Sequence, residues 1–214
     1  MPFKNTGHRP SQDHHHEMSL DDTFDFLNTI ELESGSLVDH LETFEDAAGW
    51  LIERGVCHSG RGPEALRPAD VTADGALARV KTVRTALREV AHAVSEGRPA
   101  DPNALAEVNR AIAARERIEL VSAPDGASLG HSHVGDPLDD ALARLADPLV
   151  HEIGAGRSDR VRICANDTCR WVFYDESRAG RRRWCDMASC GNRAKAARHR
   201  ARVKAKADVA GAPN

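Results

Sequence analysis

The apolar positions in the first three-quarters of the chain recur mainly at helical spacing. From about residue 72 to residue 95 an apolar side chain returns every three or four positions, which predicts one long helix with a continuous buried stripe. The stripe consists of Leu77, Val80, Val83, Leu87, Val90 and Val94. Asp-Pro pairs at 101–102 and 136–137 favour two further helix starts, because Asp caps free N–H groups and Pro tolerates the first helical position. We therefore expect a body built mainly from helices.

Shorter segments add a second type of structure to this body. Thr43, with Asp46 three positions later, resembles a capping box at the start of another helix. The segment 23–30 is a short apolar element whose pattern fits either a strand or a helix. Weak alternation over residues 117–134, around an Asp-Gly pair, predicts a β-hairpin. The body therefore combines several helices with a few strands.

The last quarter of the chain changes from this pattern to short strands and a basic helix. A strand is predicted to end at Cys164, and residues 169–175 alternate and are rich in aromatic and β-branched side chains, which favours a second strand. A turn with Gly180 then leads to residues 181–185, which we expect to return as the other strand of a hairpin. From Asp186 onward Ala, Arg and Lys dominate without proline, which predicts a helix.

These elements define an α+β chain with two domains. We expect a helix-rich α/β domain over 20–156 and a small treble-clef module, made of a knuckle, a β-hairpin and a helix, over 157–206. Residues 1–19 are expected to be a disordered tail and residues 207–214 a flexible one. No apolar run approaches the length of a membrane span, and no signal segment precedes the first element, so we expect a cytoplasmic protein without a membrane partner.

The charges divide in the same place as the elements. Residues 1–156 carry 14 Lys/Arg and 27 Asp/Glu, a net charge of −13, whereas residues 157–206 carry 15 Lys/Arg and 5 Asp/Glu, a net charge of +10. An acidic body joined to a basic module is typical of a protein that meets nucleic acid at one end. A basic face that is merely solvated, or that folds against the acidic body, would show the same asymmetry.

Four of the five cysteines lie in the basic module. Cys164 and Cys169 form one pair with four residues between them, Cys185 and Cys190 form a second, and fifteen residues separate the pairs. Reduced thiols at such spacing indicate a metal site before disulfides, and four thiolates suit one structural Zn²⁺ in a closed tetrahedron, with an iron–sulfur cluster as the minor alternative. The metal would hold the start of the basic helix and stabilise a module too small for a core of its own.

The segment RRWC-x4-CGNR, followed by AKAARHRAR, resembles the CGNR zinc-finger family. Members of that family pair the finger with an N-terminal domain called ABATE and are described as regulators of transcription under stress; FDFLNT at 24–29 resembles the start of that domain. The resemblance implies a treble-clef DNA-binding module and a sensor domain for a small ligand, and it brings no catalytic residues. By motif match it makes Cys164, Cys169, Cys185 and Cys190 the zinc ligands.

Basic side chains of the hairpin and the helix are the candidate DNA contacts. Lys195, Arg198 and Arg202 share one helix face that could meet a phosphate backbone or a major groove. The hairpin contributes Arg178, Arg181, Arg182 and Arg183. Asn192 and Arg193 are equally suited to contacting DNA and to bracing the metal site. Trp171 and Trp184 are expected to pack a small core rather than to stack on bases.

Three classes of function fit these features. A zinc-dependent DNA-binding transcription regulator with a ligand-sensing N-terminal domain is favoured, and recognition by one small finger would call for a homodimer. An RNA-binding or ribosome-associated zinc module would use the same basic surface. A protein-interaction finger is the third class; an enzyme is disfavoured, because a closed site of four cysteines leaves no position for water and the sequence shows no acid–base pair.

Overall fold

The computed structural model describes residues 18–33, 36–57, 62–115, 117–123, 126–132 and 135–210. Within these ranges the chain forms six α-helices and three pairs of strands. The helices are α1 (Leu20–Leu27), α2 (Phe44–Glu53), α3 (Ala73–Glu96), α4 (Pro102–Ala113), α5 (Pro137–Gly154) and α6 (Asn192–Ala210). The strands are β1 (Ile30–Glu33), β2 (Ser36–Asp39), β3 (Arg117–Ala123), β4 (Gly126–Ser132), β5 (Val161–Ile163) and β6 (Val172–Tyr174). Short 3-10 helices cover Pro63–Leu66 and Ser158–Arg160, and a π-helical turn covers Met187–Gly191.

Helix α3 is the central element of the fold. The Thr72 side chain caps its first turn by accepting a hydrogen bond from the Gly75 N–H at 3.1 Å, and Gly97 ends it in the left-handed region at φ 65°. The predicted stripe is confirmed: Val80, Val83, Leu87 and Val90 are buried, and Leu77 and Val94 pack partly buried against the same core. Helix α3 contacts α1, α2, α4, α5 and both strands of the C-terminal hairpin.

Side-chain caps set the starts of the other body helices. The capping box of Thr43 and Asp46 is confirmed at α2, and a second one, from Ser19 and Asp22, starts α1. The segment 23–30, which fitted a strand or a helix, is therefore helical as far as Leu27 and extended from Ile30. Both Asp-Pro pairs also start helices as expected, with the Asp side chain accepting from the N–H of the second or third helical residue.

The strands form three separate two-stranded antiparallel sheets. β1 pairs with β2, and β3 pairs with β4, which confirms the predicted hairpin within the described parts of 117–134. The C-terminal hairpin differs from the prediction, because β6 pairs back with β5 in the register Val161↔Tyr174 and Ile163↔Val172. Residues 181–185, all of which are described, form no regular strand.

Hydrogen bonds explain why residues 181–185 stay irregular. The Arg183 carbonyl accepts from the Ala165 N–H at 2.8 Å, and the buried Asp175 carboxylate accepts from the Arg182 N–H at 2.7 Å. These bonds tie the segment to the knuckle and to a side chain, instead of to a neighbouring strand. The same Asp175 carboxylate accepts from the N–H and the hydroxyl of Ser177 and thereby closes the loop that carries the hairpin arginines.

The hydrophobic core runs across the boundary expected between residues 156 and 157. Val161 of β5 and Val172 of β6 are fully buried in the same cluster as the apolar faces of α1, α3 and α5. At the chain end α6 continues to Ala210, so the helix includes the first four residues of the expected flexible tail. The expected N-terminal tail lies, except for its last two residues, outside the described part of the chain. Among the described helices, none combines the length and apolarity that crossing a bilayer requires.

Candidate metal centre and nucleic-acid interface

Four cysteine sulfur atoms meet at one point of the C-terminal module. The Sγ atoms of Cys164, Cys169, Cys185 and Cys190 all lie within 4.8 Å of one another. The Cys169–Cys185 distance is 3.6 Å and the Cys185–Cys190 distance is 3.9 Å. A tetrahedral ion with bonds of about 2.3 Å to sulfur places its ligands about 3.8 Å apart, so the cluster fits one zinc ion in a closed site of four thiolates.

The first cysteine pair is held by the knuckle between β5 and β6. The Asn166 carbonyl accepts from the N–H groups of Cys169 at 2.8 Å and Arg170 at 3.1 Å, which folds the chain back on itself. Arg170 takes a left-handed conformation at φ 58°, which is uncommon for a residue other than glycine and sharpens this turn. The Cys164 N–H then bonds to the Trp171 carbonyl at 2.8 Å, so both cysteines of the pair face the same side.

The second pair comes from the entrance of α6. Asp186 caps the π-helical turn by accepting from the N–H groups of Ala188 at 3.0 Å and Ser189 at 3.2 Å, and Cys190 lies within this turn. The Asn166 side chain of the knuckle donates to the Cys190 sulfur at 3.4 Å. A hydrogen bond from an amide to a thiolate stabilises its negative charge. The knuckle and the helix start therefore contact each other directly.

The close approach of the thiols changes their acidity. Hydrogen bonds from Cys169 and Cys185 hold the pKa of Cys164 well below its usual range. Contact with Cys164, followed by contact with Cys169, raises the pKa of Cys185 far above its ordinary value. Neighbouring thiolates repel each other, so protons or a cation must hold four sulfur atoms this close together. A divalent ion that prefers thiolates supplies that charge, which agrees with the fit of the geometry to zinc.

Helix α3 places a positive charge beside the knuckle. The Arg88 guanidinium donates to the Leu27 carbonyl at 2.9 Å and to the Arg170 carbonyl at 3.4 Å. Burial, together with the charges of Arg84 and Arg170, lowers the pKa of Arg88, whereas the Cys169 thiol raises it. Four thiolates and one Zn²⁺ carry a formal charge of −2, so a half-buried arginine at this position helps to balance the metal centre.

Further polar pairs join the body to the metal module. The Trp171 indole N–H donates to the Glu31 carboxylate of β1 at 2.8 Å. The Ile163 N–H of β5 donates to the Ser95 hydroxyl of α3 at 3.2 Å. Ile163, just before Cys164, and Trp171, two residues after Cys169, are therefore hydrogen-bonded to elements of the N-terminal body, which fixes the metal module against it.

The structure separates the four hairpin arginines into two groups. Arg178, Arg181 and Arg183 are exposed. Arg182 is partly buried, and its guanidinium donates to the Trp184 carbonyl at 2.9 Å and to the Cys185 carbonyl, while it stacks on Phe173 at 5.1 Å. Arg182 therefore supports the backbone that carries Cys185, and the exposed three are the hairpin cations accessible to a partner.

The predicted contact residues of the helix are all exposed. They are Asn192, Arg193, Lys195, Arg198 and Arg202. The Asn192 amide donates to the Ala188 carbonyl at 3.0 Å and so braces the turn that holds Cys190. The Trp184 ring lies near two guanidinium groups, Arg183 at 5.3 Å and Arg198 at 5.9 Å. A single indole therefore brings a cation of the hairpin side and a cation of α6 together.

The tryptophans and Phe173 form a small core around the metal site. Trp171 and Trp184 are partly buried and pack against Cys164, Cys190 and Phe173, which confirms the expected packing role of both rings. Sequence reasoning did not find Arg88, Asn166 or Asp175. Arg88 lies 76 residues before Cys164 and gives no local signal. Asp175, by contrast, is followed by Ser177 in a pattern typical of a side-chain-capped turn, which could have marked it.

A closed four-cysteine site between a hairpin knuckle and a helix start defines a small zinc-binding module fused to a helix-rich domain. The profile of the CGNR zinc finger matches residues 160–203. The profile of the ABATE family, described as "Putative stress-induced transcription regulator", matches residues 23–156, which is more than half of the chain. The chain belongs to the ABATE family and carries a CGNR zinc finger. This family description is that of a regulator rather than an enzyme. Among curated proteins, none gives a significant match to this chain.

Proposed function

We propose that this zinc-containing regulator binds duplex DNA through its finger and senses a small ligand through its N-terminal domain. The observation that carries the proposal is the group of exposed cations beside the metal centre. Arg178, Arg181 and Arg183 lie on the hairpin side, and the exposed cations of α6 begin three residues after Cys190, at Arg193. Exposed cations on a module of fixed shape are suited to phosphate contacts.

The metal centre would give this surface its shape. Cys185 lies two residues before the turn from which α6 departs and Cys190 lies within it, so one ion bound to both determines the direction of the helix relative to the hairpin. Without the ion, thiolate repulsion would open the turn and separate the two sets of cations. Zinc therefore has a structural role in the proposal, and DNA binding depends on it.

An open groove between α3 and α4 is the candidate ligand site. It has a volume of about 490 Å³, and its lining includes Lys81, Glu89, Asp101 and Asn103. Charges of both signs in an open groove suit a small polar ligand with hydrogen-bonding groups. The same helix that lines the groove carries Arg88 and Ser95, which contact the finger. A ligand that shifts α3 would therefore reach the finger through two direct contacts.

Two further features belong to the proposal. One finger of this size offers few base contacts, so specific recognition calls for a homodimer on a two-part site. A cytoplasmic location fits as well, because thiols stay reduced there and remain available to the metal.

A fluorescence-anisotropy titration tests DNA binding. The zinc-loaded full-length protein is titrated with duplex DNA from its own promoter region, with random duplex and with structured RNA, each at two salt concentrations. We expect tightest binding to the promoter duplex, with a loss of roughly 10³-fold between 50 and 200 mM salt if about six phosphates are contacted. The variant Cys190→Ser should lose this binding. Equal or tighter binding to RNA, or salt-insensitive binding, would refute the DNA proposal.

A thermal-shift screen of small polar compounds tests sensing. A compound that binds the groove should raise the melting temperature of the protein, because binding stabilises the native state. The exposed Thr85 lines the groove, and Thr85→Trp would fill it. A compound that stabilises the unmodified protein and Thr85→Trp equally does not bind the groove, and such a result for every hit would refute the groove as the sensing site.

A further inference from the structure

The basic residues of α6 fall into two stripes on opposite sides of the helix. At about 100° per residue, Arg200 lies about 20° from Arg193 around the helix axis, which makes the first stripe. Lys195, Arg198 and Arg202 lie about 140–180° from Arg193 and make the second stripe. In the sequence, Lys204 continues the spacing of the first stripe and Lys206 that of the second.

The two edges between the stripes carry small or weakly polar residues. Ala194 and Ala201 lie on one edge, and Ala194 is half-buried where the helix leaves the metal module. Ala196, His199 and Val203 lie on the opposite edge, and all three are exposed. The edge that points away from the module is therefore narrow and, from Ala196 to Val203, contains no lysine, arginine, aspartate or glutamate.

Helix α6 has no apolar face for packing on the protein. All described side chains from Lys195 to Val203 are exposed, and the main neighbour of the helix is the π-helical turn that precedes it. A helix that is polar on all sides lacks the burial that stabilises ordinary surface helices. In addition, Arg198 and Arg202 are like charges at i and i+4, which repel. Such a helix is suited to a partner that surrounds it with negative charge.

The dimensions of the helix match the major groove of B-form DNA. A helix with its side chains is about 10–12 Å across, and the groove is about 12 Å wide with a phosphate backbone on each side. A flat acidic protein surface would contact one stripe and leave the other in solvent. The major groove of A-form RNA is deep and too narrow for a helix. Two opposite stripes therefore favour duplex DNA over both alternatives.

We propose that α6 lies lengthwise in the DNA major groove, with one basic stripe on each phosphate backbone and the edge of Ala196, His199 and Val203 toward the base pairs. This inference rests on the proposed DNA-binding function and specifies which groove of the DNA the helix occupies and how it is oriented there. The small side chains of that edge allow close approach, the methyl groups contact thymine methyls, and His199 can bond a base edge. The exposed hairpin arginines contact the backbone beside the groove.

Paired charge-removal variants of the full-length zinc-loaded protein test the two-sided contact. Arg193→Gln with Arg200→Gln removes two cations of the first stripe, and Lys195→Gln with Arg202→Gln removes two of the second. Arg198 is left intact because it stacks on Trp184. The matched control, Arg67→Gln with Arg110→Gln, removes the same charge from the body, at one half-buried and one exposed arginine that each pair with a glutamate. The readout is the slope of log K against log salt concentration for duplex DNA.

Each stripe variant is expected to reduce the magnitude of that slope by about 1.8, which corresponds to two phosphate contacts, while the control leaves it unchanged. A reduced slope in only one of the two stripe variants would overturn the inference and show that the helix lies on one phosphate backbone. Unchanged slopes in both would overturn it while DNA binding by the finger stands. If the unmodified protein shows no duplex binding at all, the proposed function fails together with the inference.

Groove chemistry gives an independent readout. Methylation of guanine N7 in the major groove is expected to weaken binding, and a competitor that occupies the minor groove is expected to leave it unchanged. The reverse result would place the protein in the minor groove and overturn the inference, although the function as a DNA-binding regulator would survive.

Discussion

Asn28, immediately after α1, makes two hydrogen bonds to the backbone of Val172, 144 residues further along the chain. Its amide nitrogen donates to the Val172 carbonyl at 2.9 Å, and its amide oxygen accepts from the Val172 N–H at 2.9 Å. Both groups are buried. The asparagine thus acts as a one-residue strand partner for β6, the strand that follows the first cysteine pair. It belongs to the FDFLNT segment that resembles the start of the ABATE domain, and the contact gives this part of the motif a structural role.

Replacing Asn28 with Ala should destabilise the whole chain. The change leaves the Val172 N–H and carbonyl buried without partners, and each such group costs about 1–3 kcal/mol. We expect the free energy of unfolding, measured in urea, to fall by about 2–5 kcal/mol. The exposed Asn103 on α4 offers a matched control, since Asn103→Ala should change the free energy of unfolding by less than about 0.5 kcal/mol. Equal stability of the two variants would contradict the anchoring role.

Loss of the metal should loosen α3 as well as the finger. Cys190→Ser removes one thiolate, whereas Cys57→Ser changes the cysteine that lies outside the cluster and serves as the control. Because the knuckle contacts Arg88 and the adjoining strand β5 contacts Ser95, we expect amide exchange in the second half of α3 to become at least about 10-fold faster in Cys190→Ser, a loss of about 1.4 kcal/mol in local stability. Zinc content per chain is measured in parallel. Faster exchange confined to residues after 156 would show that the body does not depend on the finger.

The stability of the body should depend on the ionisation of Asp39. Burial raises the pKa of Asp39, but hydrogen bonds from Arg84 and the Leu41 N–H outweigh burial and lower the pKa to about 2. A carboxyl with a lowered folded pKa stabilises the protein above its unfolded pKa of about 3.9, and this contribution is lost as the pH falls toward 2. In urea unfolding, the stability gap between the natural protein and Asp39→Asn should therefore be constant from pH 5 to 7 and narrow below pH 4.

Comparing the two proteins at each pH cancels the effect of acid on the zinc site, because both contain the same cysteines. A gap that stays constant down to pH 2 would mean that the paired carboxylate contributes nothing through its ionisation. The ion-pair partner of Asp39 supports the expected contribution of its ionisation to stability. Arg84 is only 2% exposed and donates to both Asp39 oxygens, at 2.8 and 2.7 Å.

Trp184 should affect DNA binding more than it affects folding. Its ring holds Arg183 and Arg198 on either side of the boundary between the hairpin and α6. Each contact is worth about 0.5–1 kcal/mol, so Trp184→Leu, which removes both, should weaken duplex binding roughly 5- to 30-fold. Trp184→Phe keeps an aromatic face and should retain most of the affinity. Zinc content measured on both variants shows whether the finger is still folded around its ion. Equal DNA affinities of the Leu and Phe variants at full zinc occupancy would mean that ring stacking does not position the arginines.

Local spacing along the chain was enough to predict the metal centre and the helices other than α1, whose segment fitted either a strand or a helix. The apolar stripe of α3 and the caps at Thr43, Asp101 and Asp136 depend on residues three or four apart, which contact each other within one helical turn. The two cysteine pairs are equally local, because each pair lies within a single turn of chain. A closed thiolate site then follows from the chemistry of one ion.

Local spacing could not predict which strand pairs with β6 or where the finger packs on the body. The turn at Gly180 favours a return strand over residues 181–185, yet β6 pairs with β5 because the Asp175 carboxylate and the Ala165 N–H already bond to that segment. The finger packs on the body through Val161 and Val172, which are buried in the common core with side chains far away in the sequence.

The sequence by itself determined the helix starts, the buried stripe, the fit of four cysteines to one zinc ion and the opposite basic stripes of α6, because each depends on residues close together in the chain. Only the tertiary structure showed that Asn28 bonds to Val172 and that Arg88 of α3 lies against the zinc knuckle. Those contacts join residues 144 and 82 positions apart. Which residues meet in such contacts depends on how the whole core packs, and this cannot be read from a local sequence pattern.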